Sequence, residues 1–203
     1  MGLRTNEQER LLLLFKEGVL LCAGSLDRMS TIRWDVILSG AEFSPPDGIP
    51  SGGPGFDAPH VAVHFATDAH APFAVSALFS KESARLIAEK SMFLPPRGGL
   101  AGTDREILRQ AISEVSNILA QRIAATIADD YNAMILLCVP ELIEGDNKGI
   151  LAQLRKEHAE NADLALASKV ELHSGGLSAE FRFLLWIRSG VMRSIIDDAP
   201  SRP

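Results

Sequence analysis

The stretch AISEVSNILAQRIAATIADD, residues 111–130, combines helical spacing with side chains that could do chemistry. Glu114 and Asn117 lie three positions apart in it, so a helix would display a carboxylate and a carboxamide side by side. Such a pair can act on one partner, but helices of soluble proteins also carry polar faces that only contact water. The pair is therefore either a solvated helix face or a catalytic pair displayed on one.

The pair belongs to a longer polar stripe. When successive residues are placed about 100° apart, Gln110, Glu114, Asn117 and Gln121 fall in one narrow sector. A separate apolar sector must face the sheet, and it comprises Leu108, Ala111, Ile112, Val115, Ile118 and Leu119. Arg122 projects toward the apolar face, where it either snorkels or finds a buried partner. Asn costs about half a kcal/mol against Ala in an exposed helix, which favours a task for this amide.

The flanking segments predict the elements that must hold this helix in place. An N-terminal helix begins near Thr5 and ends near Gly24. Apolar patterning predicts strands at 31–38, 60–67, 72–80, 133–140, 164–172 and 179–187, and shorter helices at 81–92 and 148–158. A flexible Pro/Gly loop is predicted at 44–58 and a frayed tail at 197–203. The chain, 1–203, is thus predicted to be a single α+β domain, a mostly antiparallel sheet with two or more long helices packed on one face.

Composition and charge narrow the class of protein. The chain has 203 residues, 46% of them hydrophobic and 23% charged, which is the balance of a soluble globular domain. Its net charge of −6, without a basic stripe, argues against nucleic-acid binding. Lys16 interrupts the N-terminal apolar run before it could span a bilayer. Cys22 and Cys138 lie in apolar runs, as buried thiols of a reducing compartment do. We therefore expect a cytoplasmic protein without membrane insertion.

Other groups of potentially reactive residues are weaker candidates for a functional site. His60 and His64 lie on the same side of a predicted strand and His70 follows nearby, but a metal site would need a third ligand with clear geometry. Structural or solvent-facing histidines are therefore the favoured interpretation, and no metal site is predicted. The loop GIPSGGPG lacks the Gly-Lys-Ser/Thr ending of a phosphate-binding loop, and the sequence has no convincing hydrolase triad.

The segments around the long helix resemble the CheC/CheX/FliY family of chemotaxis phosphatases. The matching stretches are AISEVSNILAQRIA, the later VPELIEG, and the preceding strand-then-helix unit FAVSALFSKESARLIAEKSM. The family's helix motif is an acidic residue or Ser, then Glu four positions on, then Asn three positions after that. Its Glu falls on Glu114 and its Asn on Asn117, whereas Gln110 and Gln121 depart from the residues usual at their positions. One copy of the motif is present, as in CheX.

The resemblance implies a protein substrate, the aspartyl-phosphate form of a CheY-like response regulator. This regulator would bring its own Mg²⁺, so the chain needs no cofactor of its own. Asn117 would orient the attacking water and Glu114 would pair with a regulator lysine, while Gln110 and Gln121 would contact the same partner. The departure at Gln110 favours an alternative, a non-catalytic interaction module that binds a response regulator or a flagellar-switch-type partner. The resemblance also implies a CheX-like homodimer, paired through an open sheet edge.

Overall fold

The computed structural model describes residues 2–29, 32–50, 59–67, 70–91 and 101–199. The helices are α1 (Thr5–Met29), α2 (Lys81–Ser91), α3 (Ala101–Tyr131), α4 (Asn147–His158) and α5 (Ser189–Asp198). The strands are β1 (Asp35–Ser44), β2 (Pro59–Phe65), β3 (Phe73–Ser80), β4 (Glu141–Asp146), β5 (Leu164–Ser174) and β6 (Leu177–Ile187). They form a six-stranded sheet in the order β1-β5-β6-β3-β2-β4. Every neighbouring pair in it is antiparallel.

The sheet is covered by helices on both faces. Because successive side chains of a strand point to opposite faces, Phe73 and Phe79 of β3 enter a larger core beneath α1, α2 and α3. Leu78 points the other way into a smaller core, where it meets Leu151 of α4 and Trp186 of β6. The predicted α+β class with long helices on one face is confirmed, and α4 adds a layer on the opposite face.

The order of elements repeats itself along the chain. A helix, three strands and a helix occur first as α1-β1-β2-β3-α2 and again as α3-β4-β5-β6-α5, with α4 inserted after β4. In this repeat β1 corresponds to β4, β2 to β5 and β3 to β6. If each strand is exchanged for its counterpart, the strand order of the sheet is the same order read from the other edge. Helices α1 and α3 are therefore topological counterparts.

These two helices lie antiparallel against each other. Arg10, near the start of α1, forms an ion pair with Asp130, near the end of α3. Further along α1, Gly18 is buried, and a Cβ placed there would lie 2.9 Å from the Cα of Ile123. The absence of a side chain at Gly18 therefore allows the two helix backbones to approach closely, and this contact helps to fix α3 on the sheet.

Helix α1 is a core helix that runs past its predicted end. Leu11, Phe15 and Leu26 are fully buried in the larger core. The helix continues through Gly24 to Met29 because Leu26 still packs into that core, so the predicted end at Gly24 is wrong. No helix in the described part of the chain is long and apolar enough to cross a membrane.

The segment between α3 and β4 does not form the buried strand predicted at 133–140. Strand β4 begins only at Glu141, and the preceding segment makes one isolated bridge instead of a ladder. Val139 is 88% exposed, because no described element packs against it, whereas Ile135 of the same run is buried in the larger core. Cys138 is also exposed, so the prediction of buried thiols holds for Cys22 and is wrong for Cys138. An apolar run indicates that a segment is suited to burial, but whether it is buried depends on the elements that pack around it.

Two segments that were predicted to be irregular are partly ordered. Helix α5 ends at Asp198, inside the predicted frayed tail 197–203, and the residues after 199 lie outside the described part of the chain. In the predicted loop 44–58, Pro46–Gly48 form a 3₁₀ turn. Ser44 still belongs to β1, and only 51–58 of the predicted loop lie outside the described residues.

Candidate functional site

The polar stripe (Gln110, Glu114, Asn117 and Gln121) lies on the outer side of α3. Gln110, Glu114 and Gln121 are exposed and Asn117 is half-buried. The opposite side of the helix packs into the larger core through Ile112, Val115 and Leu119, and Ala111 beside them is buried, as the helical spacing predicts. Helix α3 is 31 residues long, so the stripe starts well inside it and not at a frayed end. The four polar side chains are therefore displayed together on one rigid element.

Glu114 and Asn117 have no partner within the described part of the chain. Neither side chain makes a hydrogen bond or an ion pair with another described residue. Gln110, by contrast, donates a hydrogen bond of 3.5 Å from Nε2 to Glu106 Oε1. A carboxylate accepts hydrogen bonds and a carboxamide both donates and accepts them. The pair therefore presents complementary groups that a partner from outside can engage.

Contacts on both sides of the stripe hold α3 in place. Toward its start, Arg105 Nη2 lies 2.8 Å from Glu144 Oε2 of β4, and Arg109 Nη1 lies 4.0 Å from the other oxygen of that carboxylate. Beyond the stripe, Arg122 is half-buried and donates a hydrogen bond of 3.0 Å to Ser25 Oγ of α1. Arg122 thus has a defined partner on the neighbouring helix. These contacts restrain the helix to which the acid and the amide are attached.

The counterpart face of α1 repeats the spacing of the stripe with different residues. Leu13, Glu17 and Leu20 follow one another at the intervals of the first three stripe residues. Leu13 is 57% and Leu20 59% exposed, and Glu17 is exposed as well. In that pattern Leu20 has the spacing that Asn117 has on α3, and a leucine side chain neither donates nor accepts hydrogen bonds. The chemistry available on α3 is therefore not available on this face of α1.

A second group of polar side chains lies on the α4 face of the sheet, away from the stripe. We call it the histidine cluster, and it comprises His64 of β2 with Glu157 and His158 of α4. His64 was recognised in the sequence, but His60 and His70, considered with it, are not members of the cluster. Sequence reasoning missed Glu157 and His158, because their contact with His64 depends on how α4 packs across the sheet. No spacing along the chain indicates that packing.

The fold matches solved structures although the sequence finds no match. Neither a protein family model nor a curated protein sequence matches the chain. The X-ray structure of Thermotoga maritima FliY has a TM-score of 0.68 at 13% identity, over 97% of this chain and 97% of that chain. A chain of the FliG–FliM complex from H. pylori has a TM-score of 0.62 at 8% identity, over 95% of this chain and 100% of that chain. A chain of the CheX–CheY–BeF3–Mg²⁺ complex from Borrelia burgdorferi has a TM-score of 0.54 at 16% identity, over 86% of this chain and 97% of that chain.

The TM-scores, which lie between 0.54 and 0.68 over most of each chain, show that this chain and these structures share a fold. The chain has the fold of the CheC/CheX/FliY family, as the resemblance around α3 predicted. At identities between 8% and 16%, the fold is what the chain shares with them. Its function has to be argued from its own residues.

Proposed function

We propose that the chain is a CheX-like phosphatase that hydrolyses the aspartyl-phosphate of a CheY-like response regulator at the polar stripe of α3. The observation that carries the proposal is the outward-facing pair Glu114 and Asn117, which has no partner among the described residues. The fold supports it, because a complex named for both CheX and CheY shares this fold. The counterpart helix α1 has no acid–amide pair at this spacing, so we expect one site per chain.

The proposed reaction needs a water molecule aligned with the phosphorus–oxygen bond of the regulator's phosphoaspartate. The water attacks phosphorus, the bond to the aspartate oxygen breaks, and inorganic phosphate and a free carboxylate result. Asn117 can accept a hydrogen bond from that water and donate one to a phosphoryl oxygen, without adding negative charge. Because Asn117 is half-buried, its side chain has fewer orientations to lose when the partner arrives.

Glu114 has a different task in this proposal. A carboxylate approaching a phosphoryl group is repelled unless a cation lies between them. We assign that cation to a lysine of the regulator, which would pair with Glu114 and fix the register of the two proteins. We assign the Mg²⁺ to the regulator as well, because Glu114 is the one carboxylate of the stripe. Gln110 and Gln121 would contact the regulator at either end of the stripe.

The direct test is to time the loss of phosphate from the regulator. Each CheY-like regulator of the source organism is phosphorylated with acetyl phosphate and Mg²⁺, the donor is removed, and phosphate release is followed with and without the protein. We expect one regulator to lose phosphate about 100-fold faster with the protein, the effect of holding a reactant in correct geometry. Unchanged lifetimes for every regulator would exclude the phosphatase.

The same assay tests the alternative, a non-catalytic interaction module for a regulator or a flagellar-switch-type partner. Two observations favour this alternative: Gln110 departs from the acidic residue or Ser of the family motif, and a chain of the FliG–FliM complex shares the fold. An interaction module would bind its partner and leave the lifetime of the phosphoaspartate unchanged. Binding measured beside phosphate release therefore separates the two functions.

Replacing Glu114 by Ala is expected to weaken regulator binding as well as turnover. Loss of one member of an intermolecular ion pair costs about 1.5 kcal/mol or more, which is roughly tenfold in Kd. The measurement is a titration of the phosphorylated regulator by fluorescence anisotropy, combined with the phosphate assay. Glu17→Ala is the matched control, because Glu17 has the equivalent position in the pattern on α1. If both variants bind like the wild type, Glu114 does not pair with the regulator.

We also propose that the chain forms a homodimer through the open edge of β1. Among the described strands, β1 and β4 are the two edges of the sheet. Strand β1 has 10 residues and carries Ile37, which is 47% exposed, whereas β4 has 6 residues and an acidic surface. Light scattering at micromolar concentration should give twice the chain mass of 21.9 kDa. Ile37→Lys should give the monomer mass, because a charge on an edge strand opposes pairing. A monomeric wild type would contradict this proposal.

A further inference from the structure

The histidine cluster brings three metal-binding side chains together on the face of the sheet opposite α3. One ring nitrogen of His64, one of His158 and one carboxylate oxygen of Glu157 all lie within 4.8 Å of one another. His64 Nε2 lies 3.2 Å from Glu157 Oε1. The two imidazole rings are 5.0 Å apart between centroids. The proposed phosphatase reaction makes no use of these residues.

The two histidines are buried, and one of their ring nitrogens has no partner. His64 is 1% and His158 6% exposed. The Nε2 of His158 has no hydrogen-bond partner among the described residues, whereas the Nε2 of His64 lies beside Glu157 Oε1. A buried polar atom left unsatisfied is rare in folded proteins, because it loses water and gains nothing in return. A metal ion held by all three side chains would satisfy the His158 ring.

The neighbours of His64 fix the orientation of its ring. Its Nδ1 lies 2.9 Å from Ser76 Oγ, which also accepts a hydrogen bond of 2.9 Å from Trp186 Nε1. In the tautomer that donates from Nδ1 to this oxygen, Nε2 carries a lone pair that can bind a metal ion beside Glu157. In the other tautomer the Ser76 hydroxyl donates to Nδ1, and the Nε2 proton faces Glu157.

A metal ion binds through the lone pair of a neutral imidazole. Both rings are buried, so water does not compete for these nitrogens.

We propose that His64, Glu157 and His158 bind a divalent transition-metal ion of the zinc type, which ties the end of α4 to strand β2. Two imidazoles and one carboxylate are a ligand set that suits Zn²⁺, with a fourth position open to water. His158 is the last residue of α4, where the carbonyl ends of a helix carry partial negative charge that favours a cation. Glu141 lies directly opposite His64 in the β2–β4 pair and adds a second carboxylate to the same face.

The geometry requires a modest closure around the ion. Ligand atoms of tetrahedral zinc lie about 3.4 Å from one another, because each bond is about 2.1 Å long. The cluster atoms lie within 4.8 Å, so the largest separation has to shrink by no more than about 1.4 Å. The Glu157 side chain is 38% exposed, so it can rotate onto the ion and also gives the ion a path from solvent.

The test uses the full chain without an affinity tag, stripped with a chelator and titrated with Zn²⁺ in a calorimeter. We expect one ion per chain with a micromolar or lower Kd, and a higher melting temperature with Zn²⁺ present. Glu157→Gln keeps the size of an exposed side chain but removes the charge, and it should weaken binding by roughly tenfold or more. Substitution with Co²⁺ should give the strong visible bands of a low-coordinate site with nitrogen ligands.

Glu171→Gln is the matched control. It makes the same change in a half-buried pair on another part of the sheet, in which Glu171 Oε2 lies 3.3 Å from His173 Nε2. This variant should bind Zn²⁺ with the wild-type stoichiometry and Kd. Absence of one-to-one binding in the wild type would overturn the proposal. Equal losses of Zn²⁺ affinity in the two variants would also overturn it, because the ion would then be bound by surface residues. A Glu157→Gln variant that binds Zn²⁺ like the wild type would overturn it as well.

Discussion

Replacing Asn117 by Ala is expected to remove most of the acceleration of regulator dephosphorylation and to leave the fold intact. A hydrogen-bonding group that acts only in the transition state contributes about 100-fold or more to turnover, or about 2.7 kcal/mol of activation free energy. The loss should appear in kcat, because regulator binding is spread over a wider surface than one amide. Alanine is the better helix former, so the free energy of unfolding should stay the same or rise slightly.

Two variants of the same stripe serve as controls for this experiment. Gln110→Ala and Gln121→Ala remove amides from exposed positions of the same helix, and each should change kcat far less than Asn117→Ala. Far-UV circular dichroism and urea unfolding establish that all three variants are folded. If Asn117→Ala retains wild-type kcat, or if all three amides matter equally, the proposed role of Asn117 in positioning water is wrong.

The elements that carry the site could be predicted because their patterns are local. The helical spacing of Ala111, Ile112, Val115 and Leu119 determines which side of α3 is buried, and the structure shows those residues in the core. The β5–β6 hairpin could be predicted for a similar reason. Its two apolar runs flank Gly175 and Gly176, whose φ angles of +52° and +82° are of the kind that glycine adopts without strain.

The features that could not be predicted depend on packing between distant segments. Val139 lies in an apolar run like that of a buried strand, but no layer covers it in the described structure. His64 and His158 approach each other only because α4 crosses the second face of the sheet. The counterpart relation between α1 and α3 is also invisible in the sequence alone, since it follows from the order of the strands.

The second large effect is expected at the crossing of α1 and α3. Gly18→Val should lower the free energy of unfolding by about 3 kcal/mol, the upper range for overpacking a tight core. Its Cβ would lie 2.9 Å from the Cα of Ile123 and 3.3 Å from Thr126 Oγ1. The first of these atoms belongs to the backbone, so a change of rotamer cannot relieve the clash and the helices must separate. Urea denaturation measures the loss as a lower midpoint at an unchanged slope.

Gly24→Val is the control that isolates the close approach from helix propensity. Gly24 lies on the same helix and is exposed, and a Cβ there meets nothing within 4 Å. Since valine is slightly the better helix former, this variant should be within about 0.5 kcal/mol of the wild type, on the stable side. Ile123→Ala should fail to rescue Gly18→Val, because it leaves the clashing Cα in place. Equal stabilities of the Gly18 and Gly24 variants would show that the helix contact tolerates a side chain and does not fix α3.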